Sequence, residues 1–175
     1  IWASISDGFY APDLDDLFDV DNGNPNLTPE EAHNMEFGFR GTWVNWAYDT
    51  SVYHNQIKNY LVTQELVSAN GDEFELTTNS GQVTVKGVES VIEYAQADAN
   101  WRIGLTRTYA NNTYDSFVQS TPGAADDFSG NQISRSPMHH LNARIAWEPI
   151  SNVTAELEGD FYSSYFSDDA NSAAG

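Results

Sequence analysis

The sequence predicts an all-β fold: an antiparallel up-and-down meander of about seven strands, of the kind that lines a transmembrane β-barrel. Three observations carry this. Apolar and polar residues alternate with period two in segment after segment, while helical spacing is almost absent. Connections alternate in length, short near Trp46–Ala47, Gln96–Asn100 and Pro149–Ser151, long across Gly8–Asn34, Asn59–Lys86 and Asn111–Met138. Long polar connections gathered at one end of a meander are usual for membrane barrels and uncommon in compact domains.

Each element follows from its own alternation. Ile1–Ser6 reads as the end of a strand. Met35–Trp46 sets Met35, Phe37, Phe39 and Trp43 against Glu36, Gly38, Arg40 and Thr42. Tyr48–Lys58 sets Tyr48, Thr50 and Val52 against Asp49, Ser51 and Tyr53. Val88–Tyr94, Trp101–Tyr109, His140–Glu148 and Val153–Tyr162 repeat the pattern. The acids within these segments, Glu36, Asp49, Glu89, Glu93, Glu156, Glu158 and Asp160, all fall opposite the apolar stripe, as do Arg40, Arg102 and Arg144. A strand with lipid on one side and a watery lumen on the other needs that segregation. Arg107 breaks it by falling on the Trp101–Ile103–Leu105 side. A charge there costs about 2–4 kcal/mol at the bilayer midplane and almost nothing at the interface, so Arg107 is expected to sit high. Trp46, Tyr48, Tyr94, Trp101, Trp147 and Tyr162 near strand ends suit interfacial aromatic belts.

Composition excludes several functions. Seven bases against 26 acids give a net charge of −19, which cannot match a nucleic-acid phosphate backbone. There is no cysteine, hence no disulfide and no thiolate metal site. No apolar run approaches the roughly 20 residues of a membrane-spanning helix. The absence of a nucleophile elbow, a phosphate-binding glycine loop or a zinc-protease helix motif argues against an enzyme, so no catalytic residue and no cofactor is expected.

Several segments resemble TonB-dependent outer-membrane receptors, and they occur in that family's order. Ser6-Asp7-Gly8-Phe9-Tyr10-Ala11-Pro12-Asp13-Leu14 is similar to the family's S-x-G-F-R-A-P-x-L, with Tyr10 where Arg is usual. Asn24-Pro25-Asn26-Leu27-Thr28-Pro29-Glu30 resembles the N-P-N-L-x-P-E box, and Asn34-Met35-Glu36-Phe37-Gly38 follows it. Gln56–Val62, the run Asn79-Ser80-Gly81 to Lys86-Gly87-Val88-Glu89, Ser136–Asn142 and Tyr162–Asn171 resemble further family segments. The resemblance implies that residues 1–175 form a C-terminal part of a 22-stranded barrel around a plugged lumen, without the plug domain, the earlier strands or the last ones. It also implies a Gram-negative outer-membrane transporter. Its partners would be a ferric siderophore or similar scarce solute, TonB, and surrounding lipid and lipopolysaccharide.

Phe9, Tyr10, Tyr60, Tyr109 and Tyr114 are candidates for lining the extracellular mouth against an aromatic chelate, and Arg135 for attracting an anionic one. The plainer reading makes the rings belt residues and the bases bridges to acids or lipopolysaccharide phosphates. The aspartates from Asp13 to Asp21 do not fit a calcium loop: counted from Asp19, Gly23 and Asn24 stand where a ligand and a glycine are required. His139 and His140 are adjacent on a strand and point to opposite faces, so they cannot share one ion. Two other readings stay open: a passive porin-like channel, and a soluble β-sandwich adhesin with Trp43 and Trp101 buried in protein.

Overall fold

A computed structural model describes residues 1–68, 70–96, 99–121 and 124–174. Ala97 and Asp98, within the expected Gln96–Asn100 link, lie outside the described residues. The elements are β1 (Trp2–Tyr10), α1 (Leu14–Phe18), β2 (Glu30–Trp43), β3 (Trp46–Val67), β4 (Glu73–Ala95), β5 (Trp101–Thr121), β6 (Ala124–Asp127), β7 (His139–Ile150) and β8 (Val153–Tyr162). The strands form one antiparallel meander in the order β1-β2-β3-β4-β5-β7-β8, with the short β6 paired to the far end of β5. No second sheet packs on it among the described residues. Phe37, Ile103 and Leu157, which a sandwich would bury, are 52%, 42% and 72% exposed.

The expected long connections need correction. Asn59–Lys86 and Asn111–Met138 are largely strand: β3 and β4 continue together until a turn in which the Ser68 N–H donates to the Asp72 carbonyl (2.8 Å). Period-two counting loses these arms because the apolar residues change side at Ile57, Val83 and Tyr114 while the register still holds, and the ladder then slips at Lys58/Tyr60, Tyr60/Leu61 and Gln82/Val83. The first long connection also shortens, since β1 runs to Tyr10 and β2 starts at Glu30. At the opposite end, Trp46 already pairs with Trp43, so the turn is Val44–Asn45, with Val44 at a left-handed φ of 54°. Pro149 lies within β7 at a register slip between Trp147 and Ile150, where its missing N–H is tolerated.

The register assigns every strand residue to a face. Directly paired residues share a face, so Phe37–Val52–Val88–Tyr109–His139 is one row and Trp43–Trp46–Tyr94–Ile103–Ile145–Leu157 another. This is the outer, apolar face. The inner face carries Arg40–Asp49–Val91–Thr106–Asn142–Asp160 and Glu93–Gly104–Arg144–Glu158. All seven acids of the sequence pattern are on it. Arg107 is on the outer face, opposite Ser90 and Leu141 and two residues below Tyr109.

The upper edge of the apolar face slants across the sheet. Its unbroken apolar run ends at Ile5 on β1, where Asp7 interrupts it below Phe9, at Met35 on β2, Val52 on β3, Val88 on β4, Tyr109 on β5 and Leu141 on β7. Met35 shares a row with Ile5, whereas Leu141 shares a row with Phe39, so the edge falls four residues over five strand-to-strand steps. Strands about 4.8 Å apart and tilted about 35–45° to a membrane normal make a level line slip by about one residue per strand. The slant is that of a flat hydrocarbon boundary crossing tilted strands, and it leaves Arg107 within one row of it.

Candidate functional site

The inner wall is a ladder of charges and polar groups. Arg144 Nη2 lies 3.4 Å from Glu93 Oε1, and the Asn142 amide donates to Glu158 (2.7 Å) and Asp160 (3.0 Å). His140 Nε2 stands 3.0 Å from Asp160, with its ring stacked on Tyr162 at 4.3 Å. His139 faces the other way, 5.2 Å from the Tyr109 ring on the outer face, as adjacent strand positions require. Two hollows mark this wall. One of about 300 Å³ is lined by Glu93, Arg102, Arg144 and Glu156, and one of about 550 Å³ by Glu36, Tyr53, Asn55 and Glu89. Such a surface solvates polar solute or polar protein and has no place against lipid.

Above the apolar face the organisation inverts. Ile57, Val83 and Tyr114 pair in register on the inner side, where Glu36 and Glu89 stand lower down. Val83 and Phe117 are fully buried and Tyr114 nearly so, and Ile57, Tyr60, Val62, Val85, Phe128 and Ile133 pack around them. Residues 128–138 form a strap along β5: the Phe128 N–H donates to the Phe117 carbonyl (2.8 Å), that of Gly130 to Tyr114 (2.7 Å) and that of Ile133 to Asn112 (3.0 Å). Gly81 and Gly87 let β4 approach β5 here. A Cβ at Gly81 would stand 1.8 Å from the Ser116 carbonyl oxygen, and one at Gly87 2.0 Å from that of Tyr109.

The loop motifs are latches in this layer. Asn24 donates its amide to the Thr77 carbonyl (3.1 Å), while Asn79 accepts from the Thr28 N–H (2.8 Å) and donates to the Thr28 and Asn59 carbonyls (2.8 and 2.6 Å). The first loop is thereby bound to the β3–β4 arm, with Leu27 buried beneath it. Asp16 accepts from the Thr77 hydroxyl (2.7 Å), a further tie of the loop to β4, while Asp19 accepts from the N–H groups of Asp21 and Asn22 and serves the loop's own turn. The C-terminal loop docks likewise. Asn171, at a left-handed φ of 54°, accepts from the Gln132 N–H and donates to its carbonyl, both at 2.8 Å, reproducing a β-bridge with a side chain. Asp169 accepts from the Tyr114 hydroxyl (2.8 Å), and Asp168 closes its own turn through the N–H groups of Ser172 and Ala173 (both 2.9 Å).

The six candidate mouth residues divide. Tyr10, opposite Glu30, Tyr60 and Tyr114 are on the inner side, and the last two meet around Val83. Burial pushes the Tyr114 phenol well up, helped by its hydrogen bond to and the charge of Asp169. Burial, Glu30 and Asp169 raise that of Tyr60. Phe9 and Tyr109 are on the outer face, Tyr109 within the row of Val52 and Val88. Arg135 sits at a left-handed φ of 56° and donates its N–H to the Phe166 carbonyl (2.7 Å), with its side chain exposed. Asn79, Asp169 and Asn171, none of them among the six, also tie the layer together. The sequence displayed them within recognisable boxes, but their partners are 20 to 55 residues away.

A tilted, lipid-faced wall with a charged interior and a latched outer layer defines an outer-membrane β-barrel. Residues 1–175 match throughout the family described as TonB dependent receptor-like, beta-barrel, and the chain belongs to it. It is 26% identical over 150 residues to the vitamin B12 transporter BtuB of Vibrio cholerae, an alignment covering 85% of this chain and 21% of that protein. Its fold superposes on the siderophore receptor PirA from Pseudomonas aeruginosa with a TM-score of 0.69 at 18% identity, covering 92% of this chain and 30% of PirA. On the copper transporter OprC the TM-score is 0.68 at 17% identity, over 88% of this chain and 23% of OprC. The chain thus spans about a fifth of the length of the curated relative. Barrels of this family reside in the Gram-negative outer membrane, and this chain is part of such a barrel.

Proposed function

We propose that the chain is a C-terminal part of the barrel wall and outer rim of a TonB-dependent active transporter that imports a ferric siderophore or similar scarce solute. A region outside these residues would contact TonB. The observation that carries this reading is the division of each long strand into a lower part with lipid outside and charge inside, and an upper part latched into one outer layer. Such a layer can hold a solute above a lumen whose wall is already polar. Tyr10 and Tyr60 are the rings best placed to meet that solute, because they face inward. Tyr114 has its hydroxyl committed to Asp169, and Phe9 and Tyr109 face outward. Arg135, exposed on the strap, supplies positive charge in an acidic layer.

The similarity to BtuB favours cobalamin as a second solute. Both readings are tested by placing the full-length receptor in a Gram-negative strain lacking its own receptors and supplying ferric siderophores or cyanocobalamin. TonB-dependent growth on one of them is expected. Equal uptake with TonB deleted would establish a passive channel instead.

A further inference from the structure

We propose that His54, Lys86, Arg107 and His139 form a band on the outer face that binds the phosphates of lipid A, the phosphorylated lipid of the outer leaflet. The inference rests on the membrane reading above and adds to it a lipid site on one patch of the wall.

The band is defined by where the apolar face ends. Immediately above the last apolar outer residue come His54 on β3, Lys86 on β4 and His139 on β7, while on β5 Arg107 stands one row beneath Tyr109. His54 and Lys86 are direct register partners, which puts their Cβ atoms about 5 Å apart. Arg107 and His139 are diagonal neighbours across β5 and β7, about 7–8 Å apart. The chain has seven Lys and Arg against 26 acids, yet from Trp43 and Trp46 up to this band no acid occupies the outer face of β2, β3, β4, β5, β7 or β8. The side chains of Lys86 and Arg107 are exposed, and neither has an ion-pair partner among the described residues.

Acids stand on this face only above the band, and two of them are already bonded. Asp7 contacts His33 at 2.5 Å and Asp115 accepts from the Thr84 hydroxyl at 2.6 Å, while Glu31 stands opposite Lys58 in register. The ligand that fits is therefore amphiphilic: acyl chains against Val52, Val88, Leu105 and Leu141, and phosphate at the height of Lys86. Arg107 reaches the same height by extending along the strand, its aliphatic stem in the apolar zone and its guanidinium paired with phosphate oxygens. This accounts for the one base on the wrong side of the sequence pattern.

The test uses the full-length receptor, purified in detergent and mixed with purified lipopolysaccharide, with native mass spectrometry measuring the retained lipid. Relative to the unmodified receptor, Lys86→Gln with Arg107→Gln is expected to weaken retention about thirtyfold, two surface cations' worth of attraction. Arg102→Gln, on the inner face, should leave it unchanged. Enzymatically dephosphorylated lipid A should be retained as poorly by the unmodified receptor as intact lipid by the double variant. Equal retention of phosphorylated and dephosphorylated lipid, or undiminished retention by the double variant, would overturn the proposal. A heat-modifiable band on gel electrophoresis verifies that each variant is a folded barrel. Failure to partition into the outer membrane would count against the membrane reading itself, whereas loss of lipid retention by a correctly inserted barrel concerns the band alone.

Discussion

The lower and upper parts of β3, β4 and β5 share a backbone ladder and have opposite interiors. Below the row of Val52, Val88 and Tyr109, apolar side chains point outward and Asp49, Glu89 and Glu93 point inward. Above the row of His54, Lys86 and Asn111, polar side chains point outward and Ile57, Val83 and Tyr114 are sequestered inward beneath the strap. What changes between them is the medium. Where hydrocarbon lies outside, apolar residues gain nothing from turning in. Once water replaces it, the hydrophobic effect acts as in a soluble domain and needs a covering layer. The strap and the docked C-terminal loop are that layer.

The largest effect that would break this contrast comes from emptying the upper core. Phe117→Ala removes a ring packed between Tyr114 and Phe128, at 4.8 and 5.3 Å, and should cost about 3–5 kcal/mol of local stability. Hydrogen exchange on the full-length receptor should show residues 112–133 loosening while Ile103–Tyr109 stay protected. Equal loosening of both would mean that the two parts are one cooperative unit. Next comes a paired substitution at membrane height. Leu105 faces outward, midway between Trp101 and Tyr109, and Thr106 faces inward. Leu105→Arg should destabilise the folded barrel by about 2–4 kcal/mol, whereas Thr106→Arg should cost far less. Urea titration followed by heat-modifiability measures both, and similar costs would remove the lipid from one side.

The sequence displayed the lower part well and the upper part poorly, for the same reason. Membrane-height strands are long, uninterrupted and two-sided, so Phe37 against Glu36 or Leu157 against Glu158 already fixes the faces. The arms above contain three slips in pairing, at Lys58/Tyr60, Tyr60/Leu61 and Gln82/Val83. Even before the slips, Val83 and Val85 are apolar on the face that carries Glu89 lower down, so they look like stray apolar residues in a polar excursion. The latches were visible as motifs but silent as geometry: nothing local to Asn79 or Asn171 says that the one meets Thr28 and the other Gln132. The hollows on the inner wall were legible only as a parity of acids, since Arg144 on β7 reaches across β5 to Glu93 on β4, 51 residues away in sequence.

A smaller effect sharpens the contrast at the docked loop. Burial, together with Asp169, raises the Tyr114 phenol above its ordinary value. A group whose folded value is raised contributes stability that is complete below the unfolded value, about 10 for tyrosine, and lost as pH climbs through the folded one. The latch should therefore survive neutral and mildly alkaline conditions and fail in strong alkali. Tyr114→Phe should cost about 1 kcal/mol by removing the hydrogen bond to Asp169. It should also delete the most alkaline step of the tyrosinate absorbance titration. Survival of that step in the variant would transfer it to another tyrosine.

The smallest expected effect lies at Asp168, and its sign is the reverse. Its carboxylate is held below the usual range chiefly by the Ser172 N–H, with the Ser172 hydroxyl and the N–H groups of Ala173 and Ala170 adding to it and slight burial opposing. A depressed value contributes stability above the unfolded value, about 3.9 for aspartate, that is lost as pH falls through the folded one. Acid should thus release the turn at residues 168–173 first, seen as faster exchange of the Ser172 and Ala173 amides after correction for intrinsic rates. Asp168→Asn keeps an acceptor oxygen for those amides and cannot titrate there, so its exchange should lose the acid step while resembling the unmodified protein near neutrality. If the acid step persists in Asp168→Asn, this carboxylate does not govern the turn.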